Sequence, residues 1–166
     1  MHPRLTVRRA RRDDFERVRA LLGVHAPALR ADRKRFRRLV STLREDCYLA
    51  ERAEDAALVG LAVIAYARGL GPPTAVVRRL VGTWNAATAL LDCARARAAA
   101  RGCTQIEVQL EPGSIDAEAG VPAVANTTGA VSADADAAAV PPAFTAGLLT
   151  AGWREHAHTL VRVLDE

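Results

Sequence analysis

The side chains most able to do chemistry are scattered along the chain. Glu107 lies in Thr104–Glu111, where Ile106, Val108 and Leu110 alternate with Glu107, Gln109 and Glu111. That period of two describes a strand with one buried face and one polar, accessible face. A carboxylate there, if burial raises its pKa, becomes a general base; paired with an arginine at the surface it is inert. His156 and His158 share one face of the final strand segment, and an imidazole there could take a proton near neutral pH. No third ligand accompanies them, so no metal site is expected. His25 falls in a loop between two helices, where solvent exposure is the simpler reading. Cys103 has no adjacent base and reads as a small core residue rather than a nucleophile.

These residues need a scaffold, and the stretch from Thr74 to Arg101 supplies its centre. Thr-Ala-Val-Val-Arg-Arg-Leu-Val reads as a strand, Gly82-Thr-Trp-Asn-Ala-Ala87 as a tight turn, and the alanine- and leucine-rich run to Arg101 as a helix. Such a junction aims free backbone N–H groups and the positive end of a helix dipole at one spot, where an anion can bind. In the helix, Thr88, Asp92 and Arg95 fall on one face and Ala87, Leu91, Ala94 and Ala98 on the opposite one.

At 166 residues the chain suits one domain spanning 1–166. Only 4% of residues are aromatic, so the core is expected from Leu, Val and Ala, and base-stacking platforms have little material. The net charge of +4 is carried almost wholly by arginine, Lys34 being the only lysine. Arg33, Lys34, Arg35, Arg37 and Arg38 make a basic helix face, read first as solvated and second as attractive to an acidic partner. Without a helix-turn-helix signature or stacking aromatics, nucleic-acid binding is disfavoured. Cys47, Cys93 and Cys103 form no C-x-x-C, so neither disulfides nor zinc is indicated, in keeping with a cytoplasmic setting. No apolar run approaches the ~18 residues of a membrane span, and no secretion signal is expected.

Leu5–Ala10 alternates as a first strand. Asp13 can cap the next helix with Glu16 reaching back, and Phe15, Val18, Leu21 and Leu22 form its buried stripe until Gly23 and Pro27 break it. A second helix is expected after Asp32, with Phe36, Leu39, Val40 and Leu43 on one face. Strands follow at Cys47–Arg52 and Leu58–Tyr66, around a turn at Glu54-Asp55. Residues 112–142 are rich in Ala, Gly, Ser, Thr, Asp and Pro and read as a low-complexity insertion, mobile or acting as a lid. A short helix over Ala143–Ala151 and a strand or strand pair over Trp153–Leu164 close the chain. The order is mixed α/β around one sheet.

This order resembles the GCN5-related N-acetyltransferase (GNAT) superfamily. Three stretches carry the resemblance: Leu5 to Leu22; Leu90-Leu91 through Ala100-Arg-Gly-Cys-Thr-Gln-Ile-Glu-Val108; and Leu148-Leu-Thr-Ala-Gly-Trp-Arg-Glu-His156. The resemblance implies a mostly antiparallel, twisted sheet flanked by helices, whose Thr74 and Thr104 strands splay into a V that holds acetyl-CoA. It implies direct attack by an amine acceptor, a small molecule or a protein, with the oxyanion held by backbone N–H groups around Arg79–Val81. The cofactor-binding positions are then Leu80, Val81, Gly82, Asn85, Ala86, Ala87 and Thr88, with Glu107 and His156 as the catalytic candidates. A homodimer is compatible with the resemblance, as is a GNAT-like binding or regulatory module without catalysis.

The chain departs from the family pattern at several points. In the pyrophosphate turn, Gly82 stands at the basic or amide position and Asn85 at the first glycine, and only Ala87 fits. Leu148 stands where the family often has a tyrosine acid, and Arg78-Arg79 lies where an acidic residue often serves as base. That basic pair disfavours a cationic acceptor.

Overall fold

The structure is a computed structural model of the whole chain. It describes residues 4–24, 26–27, 29–67, 71–109, 115–116, 142–150, 153–156 and 159–164. The strands are β1 (Leu5–Arg9), β2 (Glu45–Arg52), β3 (Leu58–Ala67), β4 (Thr74–Thr83), β5 (Gln105–Gln109), β6 (Ile115–Asp116), β7 (Arg154–His156) and β8 (Thr159–Val163). The helices are α1 (Phe15–Leu21), α2 (Arg30–Ser41), α3 (Trp84–Ala100) and α4 (Pro142–Thr150).

All strands join one sheet in the order β1-β2-β3-β4-β5-β8-β7, with β6 paired to β4. Neighbours run antiparallel except β4 with β5 and β4 with β6, which are parallel. Parallel neighbours need a crossover, and α3 is that crossover between β4 and β5. Among the described residues, no helix is long and apolar enough to cross a membrane.

Alternation along the strands sends side chains to two cores. On one face α3 packs its fully buried Ala86, Ala87, Leu90, Ala94 and Ala98 against Ala62, Ile64, Ala75, Val77, Ile106 and Val108. Small side chains bring the helix axis close to the sheet. A Cβ added at Gly60 of β3 would lie 2.8 Å from the Ala86 Cβ, so the approach requires a glycine there. On the other face, α1 and α2 cover Cys47, Leu49 and Leu61 with Val18 and Phe36. Phe15 and Phe36 meet with ring centroids 5.5 Å apart, tying these two helices together.

Several local expectations shift. Asp14, not Asp13, supplies the capping carboxylate: as the last residue of a 3-10 turn at Arg12–Asp14, it reaches back to accept the Arg11 N–H at 2.7 Å. Glu16 is exposed and pairs instead with Arg19 and Arg33. Helix α2 begins at Arg30, two residues before Asp32, whose carboxylate accepts the Leu29 N–H at 3.3 Å. Leu43 lies beyond the helix and is 78% exposed, so it is no part of the apolar face. Helix α4 starts at Pro142, and the closing segment is a strand pair. Within 112–142, Ile115–Asp116 forms β6 and Pro142 opens α4; the rest lies outside the described residues.

Arg8 locks the β1–β2 end of the sheet to the first turn. Its guanidinium meets Asp14 through both Nη atoms, at 2.8 and 2.7 Å, and Glu51 through Nε and Nη2, at 2.9 and 2.8 Å. Arg17 adds a 2.7 Å bond to Glu51. Hydrogen bonds from Arg8 hold the carboxyl groups of both Asp14 and Glu51 below their usual pKa. Their stabilising contribution is therefore present above the unfolded values of about 3.9 and 4.3, and is lost as pH falls through the lower folded values. Arg8→Gln is expected to lower the urea midpoint at pH 7 and to narrow its deficit against the wild type as the buffer is taken well below pH 4. An equal deficit at both pH values would place the effect in packing rather than in these ion pairs.

Candidate active site

The site is organised by an irregularity in β4. Its pairing with β3 steps from Arg79 opposite Val63 to Val77 opposite Ile64, which leaves Arg78 as an extra residue. The buried positions Ala75, Val77, Leu80 and Gly82 accordingly break strict alternation, and Arg78 and Arg79 are both exposed. A bulge of this kind bends a strand and re-aims its side chains.

Just beyond the bulge, β4 and β5 part. Their parallel register runs from Thr74 opposite Gln105 to Val77 opposite Val108 and stops there. Further along, β6 lies beside β4, with Gly82 opposite Ile115 and Thr83 opposite Asp116. Between these points, the edge of Arg78–Val81 that faces away from β3 has no strand partner among the described residues. Four residues of strand make a window of about 13 Å lined by backbone donors and acceptors.

The window ends at the start of α3. Strand β4 runs through Thr83, which is itself the N-cap, and the helix begins at Trp84, so the expected turn over Gly82–Ala87 is absent. The Thr83 hydroxyl accepts the Ala86 N–H at 3.4 Å, taking up one first-turn donor. Gly82 is buried with φ +136°, and a Cβ there would sit 2.3 Å from the Val59 carbonyl oxygen. Its lack of a side chain therefore serves the contact with β3. Trp84 is half-buried and its ring borders Gly147 of α4, where an added Cβ would lie 3.4 Å from the ring.

The cofactor-binding candidates are thus close together but offer mainly backbone. Leu80, Ala86 and Ala87 point into the α3 core, Val81 and Asn85 are half-buried, and the exposed Thr88 donates its hydroxyl to the Trp84 carbonyl at 3.0 Å. Glu107 is half-buried opposite Val76, one rung before the strands part. Because Ile106 and Val108 face α3, Glu107 faces the α1–α2 side. The backbone of His156 lies on β7, the outermost strand, with β8 between it and β5. His25 and His158 lie outside the described residues. Leu148 is buried in the α3 core, so an apolar side chain fills that place on α4. None of the three cysteines forms a disulfide, and burial pushes the Cys47 thiol up to about 12, which silences it as a nucleophile.

Sequence reasoning missed the bulge and β6. The 2-3-2 spacing of Ala75, Val77, Leu80 and Gly82 was the available signal for the first.

For a nucleotide thioester the fit is mixed. The open edge at Arg78–Val81 offers strand-like hydrogen bonds to an extended amide-bearing arm, whereas β6 takes up the same edge at Gly82–Thr83.

No family model matches the chain, and no curated protein matches it in sequence. Solved structures do match it in shape. An aminoglycoside antibiotic 6′-N-acetyltransferase from Acinetobacter baumannii superposes with a TM-score of 0.59 at 12% identity, covering 98% of this chain and 97% of that one. The GCN5-related glucosamine N-acetyltransferase region of a fungal multi-domain β-N-acetylglucosaminidase gives 0.58 at 17% identity, over 95% of this chain and 18% of that one. A transcriptional regulator from Bacillus halodurans C-125 gives 0.57 at 18% identity, over 64% and 82%. Together with the sheet order and the parting of β4 from β5, these likenesses show that the chain has the fold of the GNAT superfamily.

Proposed function

We propose that the protein is an acyl-CoA-dependent N-acyltransferase that moves an acetyl group from acetyl-CoA to an amine. The observation that carries this reading is the edge of β4 at Arg78–Val81, which has no strand partner among the described residues, beside a bulge and directly before a helix start. Acetyl-CoA would supply the activated acyl group as its thioester. The backbone of Arg79, Leu80 and Val81 would align it as an added strand aligns, and an N–H of that edge would face the carbonyl oxygen where charge develops. Glu107, on the rung before the gap, is the side chain proposed to take the amine's proton, with His156 the second candidate. Asn85 and Thr88 flank the helix start, where an anionic group is favoured.

A second reading, a binding or regulatory module without catalysis, is favoured by β6 on Gly82–Thr83 and by Leu148 in the core. It also agrees with the transcriptional regulator among the structural neighbours. Acetyl-CoA at a hundred times its Kd adds about 2.7 kcal/mol of stability to a protein that binds it only when folded, so the melting temperature is expected to rise clearly. The acyltransferase reading further expects free thiol when amines are added. A thermal shift without thiol release across an amine panel would leave only the second reading, and no shift at all would overturn the proposal.

A further inference from the structure

The bulge that opens β4 also shapes a second feature on the opposite face from α3. Arg78 and Arg79 both turn toward α2, and a groove of about 680 Å³ lies between that helix and the β3–β4 strands. Its apolar wall is made by Phe36, Leu39 and Val63, and its basic groups include Arg35, Arg38 and Arg79. Elsewhere the arginines find carboxylates: Arg8 and Arg17 hold Glu51, Arg19 and Arg33 hold Glu16, and Arg101 holds Asp46. In the groove, Glu45 is engaged by Arg78 at 3.3 Å and Asp32 by the Leu29 N–H. Among the described residues, no carboxylate pairs with Arg35, Arg38 or Arg79. Three guanidinium groups from two elements thus share an apolar-walled hollow of small-molecule size, and among the described residues none of the three makes an ion pair, although Asp32 and Glu45 also line it.

We propose that this groove binds a small molecule with an apolar body and a carboxylate. The apolar part would lie on Phe36, Leu39 and Val63, and the carboxylate would be met by the arginine groups. Because Arg79 also borders the open β4 edge, the bound molecule is, on the acyltransferase reading on which this step rests, the amine acceptor. The acceptor is then an amine that carries an acid group, whose negative charge offsets the basic pair at the bulge.

Isothermal titration of the full chain with phenylacetate, phenyl phosphate and 2-phenylethanol tests the groove without acetyl transfer. Phenylacetate should bind at least about tenfold more tightly than the alcohol, and an Arg35→Gln/Arg79→Gln variant should lose that preference. Arg37→Gln, on α2 but outside the groove, should keep it. Equal binding of acid and alcohol, or a preference that survives the double variant or vanishes equally in Arg37→Gln, would overturn the proposal. A stronger preference for phenyl phosphate would overturn the choice of carboxylate. The acceptor step is tested by acetyl transfer to phenylalanine against 2-phenylethylamine. Faster turnover of the acid, lost in the double variant, supports it, and equal turnover overturns it. If phenylacetate binds as expected but neither these nor other amines release thiol, the groove stands and the acyltransferase reading falls.

Discussion

Asp46→Ala is expected to destabilise the protein by about 3–5 kcal/mol, the cost of removing one partner from a buried ion cluster. Asp46 is fully buried on β2, yet four groups from three other parts of the fold converge on it. The Tyr66 hydroxyl of β3 donates to it at 2.7 Å, and Arg101, just past α3, at 3.1 Å. Arg9 of β1 approaches to 3.0 Å and Arg97 of α3 to 3.7 Å. Arg101 also lies over the Tyr66 ring, 4.1 Å from its centroid. Removing the carboxylate leaves these cations facing one another at the foot of α3, with their shared counter-ion gone. Tyr66→Phe, which deletes one hydrogen bond to the carboxylate and no charge, should cost less, about 1.5–3 kcal/mol. Urea midpoints at constant m-value give both numbers. A loss of even 3 kcal/mol corresponds to about 6–12 °C in Tm for a domain of this size. A midpoint within error of the wild type for Asp46→Ala would show the cluster to be solvated rather than structural.

Gly82→Ala is the second large effect. The new Cβ would meet the Val59 carbonyl oxygen at 2.3 Å and the Gly60 Cα at 2.6 Å, both backbone atoms that no rotamer change can move. The φ of +136° adds strain for any L side chain. Overpacking and strain together should cost about 3–5 kcal/mol. Relief requires the end of β4 to lift from β3, which displaces the Thr83 cap and the first turn of α3. Acetyl-CoA binding should therefore weaken along with stability. Gly71→Ala is the control, since nothing lies within 4 Å of a Cβ there and its cost should be negligible. A Gly82→Ala protein as stable as Gly71→Ala would mean that the β3–β4 approach is looser than described.

The sequence disclosed the parts of the fold that obey simple periods. The face of α3 with Ala87, Leu91, Ala94 and Ala98 is buried, and Thr88 and Asp92 are exposed, as the helical spacing requires. The alternation of Ile106, Val108 and Glu107 likewise marked β5 as having one buried face, which the structure packs against α3. What stayed hidden depends on register and on distant partners. Two consecutive arginines in β4 look like one inward and one outward residue until the bulge turns both outward. Asp46, flanked by Glu45 and Cys47, carries no local sign that Arg9, Arg97 and Arg101 will reach it from far along the chain. A two-residue strand such as β6, inside an alanine- and glycine-rich stretch, has too short a pattern to stand out. In the stretch from Leu80 to Thr88 the succession of strand and helix was readable, whereas the direct passage between them at Thr83–Trp84 was not. Propensity gives no reason for a strand to omit its turn; the glycine contact at Val59 and Gly60 does.

The central claim is that the edge of β4 between Val77 and Gly82 receives an extended thioester ligand. Amide-resolved NMR of the full-length protein, titrated with acetyl-CoA, tests it most directly. The account predicts saturable shifts of the Arg79, Leu80 and Val81 amides together with those at the start of α3. Saturable binding that leaves Arg78–Val81 unmoved, or no binding at millimolar acetyl-CoA, would contradict it.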